Sequence, residues 1–146
     1  MRRRDVVKLG IVAVGCLGCG GGDGDPPVDA LDSTGFEMCG ANVCLNLADP
    51  ANAALANVNG ARSLNIPDKI IIVRTSATTF AVLSRVCTHA MCGIAYQPSP
   101  MEFACPCHGS RFALDGSVVR GPASRSLKKY ASTFDEVSQT LTITLA

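Results

Sequence analysis

The chain has 146 residues, 47% of them hydrophobic and 17% charged, with a net charge of +1. That length holds one domain of roughly 110 residues plus an N-terminal extension and leaves no room for two independent cores, while so apolar a composition excludes a disordered chain. Five Phe, two Tyr and no Trp, with almost no net charge, supply neither a base-stacking platform nor a phosphate-neutralising surface, which excludes a nucleic-acid binder.

The N-terminus reads as an address. Arg2, Arg3, Arg4 and Lys8 stand against Asp5 and precede an apolar stretch from Leu9 to Leu17, the layout of an export signal and too short for the roughly 20 residues of a membrane span. Within it, Arg3-Arg4-Asp5-Val6-Val7-Lys8 resembles the twin-arginine export motif. The stretch Val12-Ala13-Val14-Gly15-Cys16-Leu17-Gly18-Cys19, followed by a Gly run, resembles a bacterial lipoprotein, in which a small residue precedes an acylated Cys. Cys16 and Cys19 are the lipidation candidates, although neither has the usual Leu three residues earlier. Residues 1–19 are therefore expected to be an export signal. Residues 20–37 carry Asp23, Asp25, Asp29, Asp32 and Glu37 with no Lys or Arg and are rich in Gly and Pro, which predicts a flexible spacer. The folded domain is expected over 38–146.

Eight Cys exceed what a reduced cytosolic protein of this size usually carries. Cys39 and Cys44 flank a four-residue loop that a disulfide could close in an oxidising compartment. Asp49-Pro50 reads as a helix start, yet Asn59-Gly60 limits it to a turn or two. Ile70-Ile71-Ile72-Val73 suits a strand buried on both faces, and the apolar run Phe80 to Val86 is expected to pair with it. Asp115-Gly116, between Arg111-Phe112-Ala113-Leu114 and Val118-Val119, signals a hairpin. Near the C-terminus, Leu141, Ile143 and Leu145 alternate with threonines at period two. Seven or more short strands without sustained helical periodicity predict an all-β sandwich or barrel whose function sits on its loops.

The chemistry is concentrated in two of those loops. Cys87-Thr88-His89-Ala90-Met91-Cys92 and Cys105-Pro106-Cys107-His108-Gly109-Ser110 contain the only two His of the chain. Two thiolates and two imidazoles in Cys-x-His and Cys-x-x-His spacing could bind zinc in a structural module or an iron-sulfur cluster with unequal irons. A four-ligand zinc site leaves Cys92 and Cys107 unused.

The two loops resemble the Rieske family, in its disulfide-containing branch from cytochrome bc-type complexes. Cys-Thr-His-x-x-Cys and Cys-Pro-Cys-His-Gly-Ser match that branch at every fixed position, and the likeness extends over about residues 43 to 146. It implies a Rieske-type antiparallel β-sandwich with a cluster-binding loop subdomain and a 2Fe-2S cofactor. Cys87 and Cys105 would bind one iron and His89 and His108 the other, with Cys92 and Cys107 joined as a clamp. Gly121-Pro122-Ala123 resembles the proline loop over the cluster, and Ser110 resembles the Ser that donates to a bridging sulfide. Two thiolates in place of four make the oxidised cluster formally neutral and easier to reduce. This chain departs from high-potential members in having Phe112 where they have a hydrogen-bonding Tyr, and Ala90 where they usually place Leu.

The resemblance implies a high-potential electron-transfer protein accepting electrons at a quinol-oxidising membrane complex, on the periplasmic face and tethered by lipid. The alternative it leaves is a tethered redox subunit of another oxidoreductase, similar to the small subunit of arsenite oxidase. In either case the domain moves an electron and needs no catalytic acid or base.

Overall fold

The computed structural model describes residues 34–146. The export-signal and lipidation readings, with Cys16 and Cys19, fall outside that range, as does most of the expected spacer. Among the described residues there are eleven strands and one 3-10 helix. Every pairing is antiparallel.

The architecture is three sheets in a row. The middle one is formed by β3 (Ala61–Leu64), β4 (Ile70–Arg74) and β5 (Phe80–Ser84), in that order. A basal sheet of order β1-β2-β11-β10 uses β1 (Glu37–Cys39), β2 (Asn42–Asn46), β10 (Ala131–Asp135) and β11 (Thr140–Thr144). The third sheet runs β6 (Ala95–Gln97), β7 (Glu102–Ala104), β8 (Arg111–Phe112), β9 (Val118–Arg120).

Side-chain alternation explains why the middle strands are apolar on both faces. Ile70 and Ile72 of β4 and Val82 of β5 pack into a core with Val43, Leu141 and Ile143 of the basal sheet. Ile71, Val73, Ala81 and Leu83 point the other way, into a second core with Cys87, Phe103, Cys105 and Phe112. The two cores share one sheet and are not independent. β4 and β5 pair as expected, in the register Ile71↔Leu83 and Ile72↔Val82.

Asp49 caps the 3-10 helix Pro50–Leu55, its Oδ1 accepting from Ala51 N at 2.8 Å, and the helix ends within two turns as the sequence suggests. The Asp115-Gly116 hairpin is present, but its first arm stops at Phe112, paired with Val118, and Ala113 already belongs to the turn, its N–H donating to Ser117 O and its carbonyl accepting from Gly116 N, both at 2.9 Å. Gly116 sits at φ +88, where an added Cβ would lie 3.1 Å from the Leu127 carbonyl oxygen.

The expected spacer is shortened at its C-terminal end. Thr34 and Gly35 offer carbonyls to the buried Arg62 and to Asn52, Phe36 packs on the basal core, and Glu37 opens β1. Phe36 is the physical reason, since an aromatic ring gains more from burial than a polar tether does from solvent.

Candidate metal centre

The two motif loops have the same backbone plan. Cys87 N donates to Cys92 O at 2.7 Å and Met91 N to Cys87 O at 3.0 Å. In the second loop Cys105 N donates to Ser110 O at 2.8 Å and Gly109 N to Cys105 O at 3.0 Å. The fourth residue after each leading Cys has positive φ, Met91 at 59° and Gly109 at 76°. Each loop thus closes on itself around its own cysteine.

Closure sorts the four candidate ligands by depth. Cys87 and Cys105 are buried, at 0% and 1% exposure, and neither is in a disulfide. His89 and His108 are exposed, with ring centroids 4.8 Å apart and planes at 85°. Two sulfurs therefore lie inside and two imidazoles lie on the rim.

Burial pushes the Cys87 thiol up, but the backbone N–H of His89, the Cys105 thiol, the Ala90 N–H and the Ser110 hydroxyl all favour its thiolate and leave it below the ordinary thiol range. Cys105 moves the opposite way. Burial raises it first and the neighbouring Cys87 raises it further, against the N–H groups of Cys107 and His108. Both loops thus aim backbone donors at sulfur, as an anionic sulfur ligand requires.

Both expected disulfides are present. Cys92–Cys107 ties the two loops together, and Cys39–Cys44 closes the β1–β2 hairpin. The sulfurs of Cys92, Cys105 and Cys107 lie within 4.8 Å of one another, yet two of them are spent in the disulfide and offer no thiolate. The donor set that remains is two buried thiols and two exposed imidazoles, residue types that would fit a 2Fe-2S cluster with unequal irons.

The remaining expected residues gather here too. Ser110 is fully buried, and its Oγ accepts from Ala123 N at 3.0 Å. That bond ties the second loop to the turn containing the cis Gly121–Pro122 bond. Phe112 is fully buried in the core that includes Cys87 and Cys105, opposite Phe103 across β7 and β8. One contact was not legible in the sequence: Thr88 Oγ1 donates to Arg125 O at 2.6 Å. Thr88 is in the motif, but nothing local marks a partner so far along the chain.

The model of the Rieske [2Fe-2S] domain matches residues 49–131, more than half of the chain. The chain belongs to that family. It is a Rieske 2Fe-2S electron-transfer protein, and its cofactor is a Rieske-type 2Fe-2S cluster. The zinc-module reading is set aside accordingly. The cytochrome b6-f complex iron-sulfur subunit of Synechococcus sp. (strain JA-2-3B'a(2-13)) is 33% identical over 88% of this chain and 76% of its own length. Subunit 2 of the same name from Nostoc sp. (strain PCC 7120) is 35% identical over 70% of this chain, which spans only 60% of that relative. Among solved structures, the cyanobacterial plasma membrane Rieske protein of Synechocystis PCC 6803 superposes with a TM-score of 0.53 at 29% identity, covering 57% of this chain and 85% of that one.

Proposed function

We propose that Cys87 and Cys105 hold the inner iron, that His89 and His108 hold the outer one, and that the domain accepts single electrons at a quinol-oxidising membrane complex. The observation that carries this reading is the depth ordering, with buried thiols behind exposed imidazoles. An electron then has one short way in and out, over the imidazole edges. When bound, the cluster supplies a one-electron couple. The rest is done by the chain. Backbone donors and the Ser110 hydroxyl stabilise negative charge on sulfur, the buried core excludes water, and the Cys92–Cys107 bond fixes one loop against the other.

The relatives named as cytochrome b6-f subunits support the quinol-oxidising setting. In our reading residues 1–19 export the chain, residues 20 to about 33 form the tether, and Cys16 or Cys19 carries lipid on the periplasmic face. No helix among the described residues is long and apolar enough to cross a membrane.

The second reading, a tethered redox subunit of an arsenite-oxidase-like enzyme, draws on Phe112, which offers no hydroxyl to a ligand sulfur, and on Ala90, which leaves a thin apolar collar beside His89. Electron paramagnetic resonance of the reduced holoprotein tests the ligands. Replacing Cys87, His89, Cys105 or His108 singly by Ala should abolish the Rieske spectrum, and a retained spectrum removes that residue from the set. Quinol-dependent reduction in membranes separates the two settings. Reduction that needs a soluble enzyme and ignores quinol favours the second.

A further inference from the structure

Charge is unevenly distributed along the described chain. Between residues 85 and 130, the stretch holding both motif loops, six cations (Arg85, Arg111, Arg120, Arg125, Lys128 and Lys129) face two carboxylates, Glu102 and Asp115. The rest of the described chain has three cations, Arg62, Lys69 and Arg74, against five carboxylates. That stretch of the chain carries a surplus of four positive charges, against a deficit of two in the rest of the described chain.

The two carboxylates of that stretch are already engaged. Glu102 pairs with Arg111 at 3.0 Å. Asp115 accepts from the hydroxyl and the N–H of Ser117 and also feels Lys129. Arg120 and Arg125 are exposed, and among the described residues neither guanidinium has a hydrogen bond or an ion pair. Their position is fixed by the backbone. Arg120 directly precedes Gly121–Pro122, the Ala123 N–H is bonded to Ser110 of the second loop, and the Arg125 carbonyl takes the Thr88 hydroxyl of the first. The two free cations therefore bracket the turn that sits against both imidazole-bearing loops.

We infer that Arg120 and Arg125 form the docking rim for an acidic electron-transfer protein that approaches over His89 and His108. The inference rests on those imidazoles being the electron exit proposed above. Charge complementarity chooses the sign of the partner, because two exposed, unneutralised cations on the segment bonded to both loops raise the encounter rate with an anionic surface and repel a cationic one. The exit itself makes the partner a redox protein rather than a lipid surface, since a membrane lying on this rim covers the imidazoles and brings no electron acceptor to them.

The test follows oxidation of the reduced, full-length holoprotein by two probes, an acidic blue-copper protein and a basic c-type cytochrome. The second-order rate with the acidic probe should fall at least ~10-fold between about 20 mM and about 300 mM salt, because screening removes the attraction. Arg120→Glu with Arg125→Glu should lower that rate about tenfold at low salt, and the two Gln variants should fall between. The basic probe should respond with the opposite sign. An unchanged visible spectrum in the variants shows that the fold and the cluster are intact. If the imidazoles are not ligands, the His variants keep their spectrum while this salt dependence persists, so the two failures are distinguishable. A salt-independent rate with the acidic probe, or equal rates in the wild type and the double Glu variant, overturns the docking rim. So does binding to anionic phosphatidylglycerol vesicles that is lost in that variant, which assigns the rim to a membrane.

Discussion

Ser110 is held by Ala123, whose N–H donates to its Oγ at 3.0 Å, and the same hydroxyl is among the groups that favour the Cys87 thiolate. One buried hydroxyl thereby ties the turn after Gly121–Pro122 to the second loop and adds to the groups that favour a thiolate at Cys87.

Ser110→Ala removes both at once. Loss of a donor to a ligand sulfur destabilises the reduced cluster more than the oxidised one, so the reduction potential should fall by about 60 mV, the equivalent of about 1.4 kcal/mol for one electron. The Ala123 N–H, left buried without an acceptor, should cost about 1–2 kcal/mol of stability. Voltammetry and urea unfolding read the two effects separately. An unaltered potential with reduced stability would leave Ser110 with its structural bond alone.

Phe112→Tyr tests the converse. Phe112 is fully buried in the core that contains Cys87 and Cys105. A phenol hydroxyl placed there either reaches a ligand sulfur or stays unsatisfied. We expect the potential to rise by about 40 mV, the worth of one hydrogen bond of about 1 kcal/mol. No shift, accompanied by a lower unfolding midpoint, would mean that residue 112 packs near the cluster without addressing it.

What was readable in advance, and what was not, follows from the range of the interactions. The Ile70–Val73 strand and its pairing with β5 are local facts of β-branching and turn spacing, and both strands are where the residues put them. The four candidate ligands are legible because the chemistry fixes residue types at short spacing. The division of the strands among three sheets is not legible, because β2 pairs with β11 across nearly the whole domain and no local pattern encodes that choice. The same holds for Thr88 and Arg125, and for the buried Asn52 and Arg62 that bind the carbonyls of Gly35 and Thr34. A polar residue that looks solvated in sequence is buried when a distant backbone group satisfies it.

Met91 invites a stability prediction. It stands at the place in the first loop that Gly109 holds in the second, with φ at 59° against 76°. It is also 78% exposed, so its side chain contributes little packing. A left-handed backbone costs an L-residue about 1 kcal/mol relative to Gly. Met91→Gly should therefore stabilise the first loop by up to about 1 kcal/mol, less the added freedom of Gly in the unfolded chain. A longer chromophore half-life at elevated temperature is the expected result. A shorter one would show that the exposed thioether makes contacts worth more than the strain.

The fold carries two disulfides, Cys39–Cys44 and Cys92–Cys107, which persist only in an oxidising compartment. Iron-sulfur clusters are inserted in the reducing cytoplasm, so the cluster has to precede the bonds. In that order the free thiols of Cys92 and Cys107 stand beside the site while it is filled, and the clamp closes only after translocation. An export route that accepts folded cargo is then required, which is the role proposed for Arg3 and Arg4. Replacing both by Lys should strand holoprotein inside the cell, with the cluster present and Cys39, Cys44, Cys92 and Cys107 all reduced. Alkylation followed by mass spectrometry should find those four cysteines modified in the stranded protein and unmodified in the exported one. Export of the Lys variant at the wild-type rate would refute the twin-arginine assignment. Disulfides already closed in a stranded, cluster-bearing protein would refute the proposed order.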